Sequence, residues 1–394
     1  MAETDGTTGL SGVKLLDLVD ERAIYGSKLL ADLDANVVRV EPPGGELLRG
    51  RGPFKGDVPG PTNSLWHAFF ASNRHSMTVD GTTDAGRRQL HRLLMWADVV
   101  IDSGALAEAG IDLEEELARR PELVGVRVTS FGPEGPWKSY LAPDLVASAL
   151  GGLAATTGDV DTPPLKGFGE IAFYISGSYT AIAALSALHH ARATGEGQLV
   201  DVNVHECIAS CLEHVLMWYW YHDSLPLADG PVLPRRGALH WSDGYDVIAA
   251  KGGSIMVTPT PNPNAQIAWL AEEGAHQDLL EVDLSDPTAL IGLLKQITDV
   301  MRPWVAEKDV EQFFFEAQRR HMPYGWVLPL DKVVDNPQLA AREWWQPYDI
   351  DGESVQGPGA PYHFSAIPQE IATYTKPGAA TESILAEIGW EDDA

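Results

Sequence analysis

The chain has 394 residues, 44% of them hydrophobic, which is enough apolar material for two substantial cores. Its 56 Asp and Glu against 28 Lys and Arg leave a formal charge of −28 at pH 7. That charge repels phosphate backbones and anionic lipid, and so argues against nucleic-acid and membrane-surface roles.

Residues Met1 to Thr8 are polar and acidic rather than signal-like, no run reads as a membrane span, and the cytoplasm is the expected compartment. Gly12 to Leu18 reads as a strand, Ile24 to Leu33 as a helix and Asn36 to Val40 as a second strand that ends in Glu41-Pro42-Pro43-Gly44-Gly45. A strand-helix-strand start predicts a parallel sheet with right-handed crossovers. The turn after the first strand, Asp20-Glu21-Arg22-Ala23-Ile24-Tyr25-Gly26, lacks the G-x-G-x-x-G pattern that lets a backbone approach a pyrophosphate, which argues against NAD or FAD. Gly81 to Trp96 reads as the next helix and Asp98 to Ile101 as the next strand. Leu113 to Arg120, Leu123 to Thr129 and Pro143 to Gly152 continue the alternation into a doubly wound α/β domain.

Between Ile171 and Ala193 no proline interrupts a helix in which Gly177, Ala181, Ala184 and Ala187 alternate with Ile182, Leu185 and Leu188. Thr194 to Gly197 stops it, and Gln198 to Val202 alternates like a strand. Cys207 and Cys211, the two cysteines, fall on one face of the following helix. Without His and carboxylate partners they make a poor metal site and read as buried free thiols. The aromatic run ending at Tyr221 closes the large domain, and Asp223 to Pro234 forms a linker. Gly244 to Pro259 reads as short strands about a Lys251-Gly252-Gly253 turn, and Ile267 to Arg320 as several helices.

The run T-G-E-G-Q-L-V-D-V-N-V at Thr194 to Val204, behind the helix A-I-A-A-L-S-A-L, resembles the CaiB/BaiF family, the class III CoA-transferases. Further landmarks extend the resemblance over nearly the whole chain: G-V-K-L-L-D-L at Gly12, S-N-R-H-S-M-T-V-D at Ser72, W-A-D-V-V-I-D at Trp96 and D-N-P-Q-L-A-A-R-E at Asp335. The resemblance implies a Rossmann-like large domain (residues 1–222), a linker (223–240), a smaller α+β domain (241–328) and a segment (329–394) that returns to the large domain. It also implies two interlocked chains, identical or related, and a coenzyme A thioester as substrate with no permanently bound cofactor or metal.

In that family an aspartate at the start of the long helix attacks the acyl-CoA thioester, splitting one hard exchange into easier steps. Ile171, Ala172 and Gly177 match the family pattern here, and the aspartate position is Phe173. Positions that supply cations to CoA phosphates in the family fall at Pro42, Thr82, Glu108 and near Leu141. The loop on the adenine side shrinks to Asp102-Ser103-Gly104. Arg39, Arg74 and Lys138 are the remaining candidates for CoA contacts, or else structural and surface charges. Glu170 is either a displaced catalytic carboxylate or a charge facing a helix N-terminus. Asp144 and Asp201 are family-like carboxylates that read as structural, and racemisation is disfavoured because neither Pro143 nor Phe173 can carry a proton.

Three functional readings follow from the resemblance. In the first, the chain is the non-nucleophilic subunit of a hetero-oligomeric acyl-CoA:carboxylic acid CoA-transferase, paired with a homologous chain bearing the aspartate. In the second it is an active homodimer using Glu170. In the third it is a repurposed scaffold in which Phe173, Tyr174 and Trp137 favour an apolar ligand other than CoA.

Overall fold

The structure, a computed structural model, describes residues 9–224, 244–260, 262–275, 287–366 and 374–390, together with positions 230, 232, 235 and 279. Part of the 223–240 linker therefore lies outside the described residues. The chain divides into two units, the first made of Met1–Gly151, Phe168–Cys211 and Gln338–Ala394, the second of Gly152–Gly167 and Leu212–Pro337.

The first unit alternates strand and helix. Its elements are β1 (Lys14–Leu18), α1 (Ile24–Ala31), β2 (Asn36–Glu41), α2 (Leu65–Phe70), β3 (His75–Thr78), α3 (Asp84–Trp96), β4 (Val99–Asp102), α4 (Ala105–Glu108), α5 (Leu113–Arg119), β5 (Val124–Thr129), α6 (Asp144–Leu150), α7 (Ile171–Thr194), β6 (Leu199–Asn203) and α8 (Val204–Ser210). All six strands pair in parallel, in the order β3-β2-β1-β4-β5-β6. The strands are apolar on both faces because helices cover both, which is the sequence signature of a doubly wound sheet. Leu15, Val37, Val99 and Val124 face one core, and Leu16, Val38, Met77 and Val100 face the other. The order reverses direction between β1 and β4, and a crevice at the carboxyl ends of the strands is expected there.

Helix α7 has 24 residues and is long and apolar enough to cross a membrane by length and composition, which departs from the sequence reading. Half of that apolar stretch is buried within the protein, with Ala181, Ala184, Ala187, Leu188 and Ala191 in the core against the sheet. Its small residues let α1 approach closely: a Cβ on Gly26 would lie 2.3 Å from the Gly177 carbonyl oxygen.

The second unit contains α9 (Glu213–Tyr221), β7 (Asp246–Ala250), β8 (Gly253–Val257), α10 (Pro263–Glu272), α11 (Pro287–Ala306), α12 (Val310–Arg319), β9 (Gly325–Trp326) and α13 (Leu330–Val334). Its three strands are antiparallel, and Ile255, Trp269, Leu270, Val305 and Phe313 form a separate core. Helix α14 (Pro337–Ala341) precedes a hairpin of β10 (Trp345–Ile350) and β11 (Glu353–Pro358), followed by α15 (Thr381–Glu387). The last segment belongs to the first unit, where Ile384 packs with Leu90 and Leu94 and the Ala380 amide donates to the Ser76 carbonyl at 2.9 Å. Both cysteines are free. Cys207 is buried, with burial pushing its thiol up to about 12, whereas Cys211 just past α8 is exposed, against the expectation that both are buried.

The Gly26→Ala variant must push α1 away from α7, so we expect a loss of about 1–3 kcal/mol in stability, read as a lower urea midpoint with an unchanged slope.

Candidate active site

A crevice of about 460 Å³ opens at the carboxyl ends of β1 to β4, where the strand order reverses. It is walled by the turn after β1 (Asp20, Glu21, Arg22), the end of β2 (Glu41, Pro42, Glu46), the turn after β3 (Asp80, Gly81, Thr82) and the turn and helix after β4 (Ser103, Ala105, Glu108). The fold thus gathers Pro42, Thr82, Ser103 and Glu108 at one place although they are spread over 67 positions of sequence. Among the described lining residues, six are carboxylates and one, Arg22, is basic.

The Arg22 charge is already answered. Its Nε and Nη2 both donate to Asp20 Oδ2, at 2.9 and 2.6 Å, Nε also reaches Oδ1 at 3.0 Å, and Nη2 donates to the Ser103 carbonyl at 2.6 Å. Burial is the largest influence and opposes its charge, but the bond to Asp20 together with the charges of Asp20, Glu21 and Asp102 raises its pKa above the ordinary arginine value. Asp102 ends β4 beneath this turn and accepts the Leu106 amide at 3.2 Å. Burial pushes its carboxyl up to about 6 despite that bond.

Arg39 and Arg74 do not line the crevice. Both lie inside the fold, 2% and 3% exposed, and share the fully buried carboxylate of Asp17. Arg39 Nη1 donates to both Asp17 oxygens at 3.0 Å and Arg74 Nη1 to one of them at 2.7 Å. Arg39 Nε also donates to Glu46 at 2.6 Å. Burial works against the Arg39 charge, yet Glu46 and Asp17 hold its pKa above the ordinary value. Burial lowers Arg74 to about 10, which still leaves it charged at neutral pH. Lys138 is exposed in the loop between β5 and α6, away from the crevice lining.

The start of α7 is closed from within. Asp144, at the head of α6, accepts the Ala172 amide at 2.9 Å and the Phe173 amide at 3.4 Å, so an internal carboxylate meets the helix N-terminus. Phe173 is 3% exposed, and its side chain packs inside rather than facing solvent. Ser176 donates to the Arg22 carbonyl at 2.6 Å and ties α7 to the crevice wall.

Glu170 immediately precedes α7, and its Oε1 accepts from Arg51 Nη1 at 2.6 Å. Arg51 also reaches Glu21 at 3.3 Å and lies 4.8 Å over the Trp66 ring. Glu21 lines the crevice, so Arg51 joins the crevice edge to the head of α7. Arg51, Trp66 and Glu21 escaped sequence reasoning: no motif marks them, and only the fold brings positions 21, 51 and 170 together. Asp201, on β6, pairs with Arg127 at 2.5 Å and is not among the residues that line the crevice. Among the described residues no group of three or more metal-binding side chains occurs.

A parallel sheet in this order, with a crevice at its switch point and a helix head beside it, defines a doubly wound α/β protein whose candidate site lies at the carboxyl ends of the strands. A model of CoA-transferase family III matches residues 10–380, and the chain belongs to that family. It is 29% identical over 391 residues to the succinyl-CoA:(R)-benzylsuccinate CoA-transferase subunit BbsE of Thauera aromatica, covering 96% of this chain and 94% of that one. With the succinyl-CoA:mesaconate CoA-transferase of Haloarcula marismortui it shares 32% over 359 residues, 88% and 87% of the two chains. The crystal structure of a CaiB/BaiF family protein from Brucella suis superposes with a TM-score of 0.81 at 25% identity, covering 97% of this chain and 99% of that one.

Because the folded-state pKa of Asp102 is raised, the stability tied to its protonation is complete below about pH 4 and is lost as the pH rises through about 6. Asp102→Asn keeps an acceptor for the Leu106 amide without the buried charge. We expect it to raise the urea midpoint at about pH 7.5 and to leave it nearly unchanged at about pH 4.

Proposed function

We propose that this chain is the non-nucleophilic subunit of a hetero-oligomeric CoA-transferase acting on an acyl-CoA and a carboxylic acid, paired with a homologous chain that carries the aspartate. The observation that carries this reading is the charge of the crevice: where a CoA-transferase must hold a polyanion, the one basic residue among the described lining residues, Arg22, is bound to Asp20. Of the six lining carboxylates, Asp20, Glu21, Glu41 and Glu46 are answered by buried or partly buried arginines of the first unit, and Asp80 and Glu108 are not. A phosphate contact with a basic side chain contributes about 1.5–3 kcal/mol, and a carboxylate at the same position opposes binding. Phe173, standing where the resemblance puts the nucleophile, points the same way. So does the similarity to the Thauera relative, itself a CoA-transferase subunit.

Both units leave apolar surface for a partner chain to cover. Leu145 on α6 and Ile182 on α7 are 61% and 59% exposed in the first unit, and Trp220 on α9 is 63% exposed in the second. An interlocked dimer, as the family resemblance implies, would bury them.

The deciding experiment is isothermal titration of CoA and acetyl-CoA into the chain purified alone, with its mass in solution measured on the same sample. We expect no binding at micromolar concentrations, and transfer activity only after the Asp-bearing chain is added. Micromolar binding by a homodimer that transfers CoA by itself would overturn the subunit reading. In a complementary test, Glu108→Arg alone should raise CoA affinity about tenfold or more, since it replaces a repulsive charge with a charge-assisted donor.

A further inference from the structure

Among the arginines that hold the first unit together, Arg51 differs in how it is held. Arg39, Arg49 and Arg74 are each 3% exposed or less, and each grips a buried carboxylate. Arg51 is 31% exposed at its side chain and touches two partly exposed carboxylates, Glu170 and Glu21, each through a single nitrogen. Neither contact uses the two-pronged geometry in which a guanidinium binds a carboxylate best.

The guanidinium is nonetheless well aimed. Trp66 covers one of its faces at 4.8 Å, and the Arg51 carbonyl accepts from the hydroxyl of Ser64, a fully buried residue that caps α2. Trp66 lies tilted against Phe70 at 4.4 Å and Phe70 stacks on Tyr174 at 5.7 Å, so an aromatic wall adjoins the charge. Glu170, by contrast, is held through its backbone, its carbonyl accepting the Phe173 and Tyr174 amides at 3.1 and 3.0 Å, while its carboxylate is tied to the fold by Arg51. It lies outside the helix at φ −105° and ψ 60°, makes no helix cap with its side chain, and follows Gly169 at φ +81°.

We propose that Arg51 is a receptor for the carboxylate of a small organic acid and that Glu170 is its built-in competitor. The acid enters by displacing the Glu170 carboxylate from the guanidinium, and its carbon skeleton lies against the partly exposed Trp66 and Tyr174 rings, which the buried Phe70 backs. Glu21 stays as the second partner. Charge enforces the exchange: one guanidinium between two carboxylates is already overcompensated, so a third carboxylate binds only when one of the two leaves. The role given to Glu170 here is that of a gate and not of a nucleophile, and it holds whether or not CoA binds this chain.

Isothermal titration of succinate into the whole chain at constant ionic strength, with chloride as control, tests the exchange. We expect Glu170→Gln to bind succinate about tenfold more tightly than the parent, and Arg51→Met to bind it at least tenfold more weakly. Arg51→Lys, which keeps the charge without the fork, should fall between Arg51→Met and the parent. The double variant Arg51→Met/Glu170→Gln removes both halves of the pair without stranding a charge, and it should show no response while keeping the parent's circular dichroism. Succinate binding in Glu170→Gln no tighter than in the parent, or an equal response in the folded double variant, would overturn the proposal. Loss of turnover in Glu170→Gln without any gain in succinate affinity would make Glu170 the nucleophile instead.

Discussion

The buried carboxylate of Asp17 is shared by two guanidinium groups, and much of the first unit is arranged around that sharing. Register places Asp17 of β1 directly beside Arg39 of β2, and Arg74 reaches the same carboxylate from the turn before β3. Two buried cations on one buried anion need further carboxylate, which Glu46 supplies to Arg39. Glu46 also accepts from His67 Nε2 at 2.6 Å, and burial lowers the His67 pKa, so the ring is neutral and its Nδ1 accepts from Tyr374. Tyr374 in turn accepts from Arg49, which grips the fully buried Glu41 at 2.6 Å. One continuous chain of hydrogen bonds, charge-assisted except where neutral His67 meets the Tyr374 hydroxyl, thus runs from the centre of the sheet to the C-terminal segment and fixes that segment to the first unit.

This network has a cost for ligand binding. Three arginines close to the carboxyl edge of the sheet are spent inside the fold on Asp17, Glu41 and Glu46, the last two of which also belong to the crevice lining. A chain with 28 basic residues against 56 acidic ones has few cations to spare. The crevice is therefore anionic through the combination of internal neutralisation and the residues at Thr82 and Glu108. The head of α7, where a helix dipole would welcome an anion, is occupied by Asp144. What remains open to an acid is the edge at Arg51.

The sequence was readable for most of the fold because doubly wound strands are short, apolar on both faces and separated by amphipathic helices. The readings for α1, β4, α5, β5 and α7 fall within two residues of the observed ends. Strand β3 was not singled out, since four residues bearing His75 and Ser76 carry little pattern of their own. Cys211 was misread because helical spacing from Cys207 says nothing about where a helix stops, and α8 stops at Ser210. For Arg39 and Arg74 the sequence left ligand contact and structural charge both open, because a lone basic residue near a strand end gives no sign of whether an acid waits behind it.

By itself the sequence determined the class of the fold, the family and the absence of an aspartate between Ala172 and Tyr174, because these depend on periodicity and on residues adjacent in the chain. Only the tertiary structure decided which charges are spent internally and which face a ligand. Asp17 meets Arg74 across 57 positions, and Arg51 meets Glu170 across 119. The physical reason is that a charge takes its role from its partners and its solvation, and both are set by chain crossings that local pattern does not record.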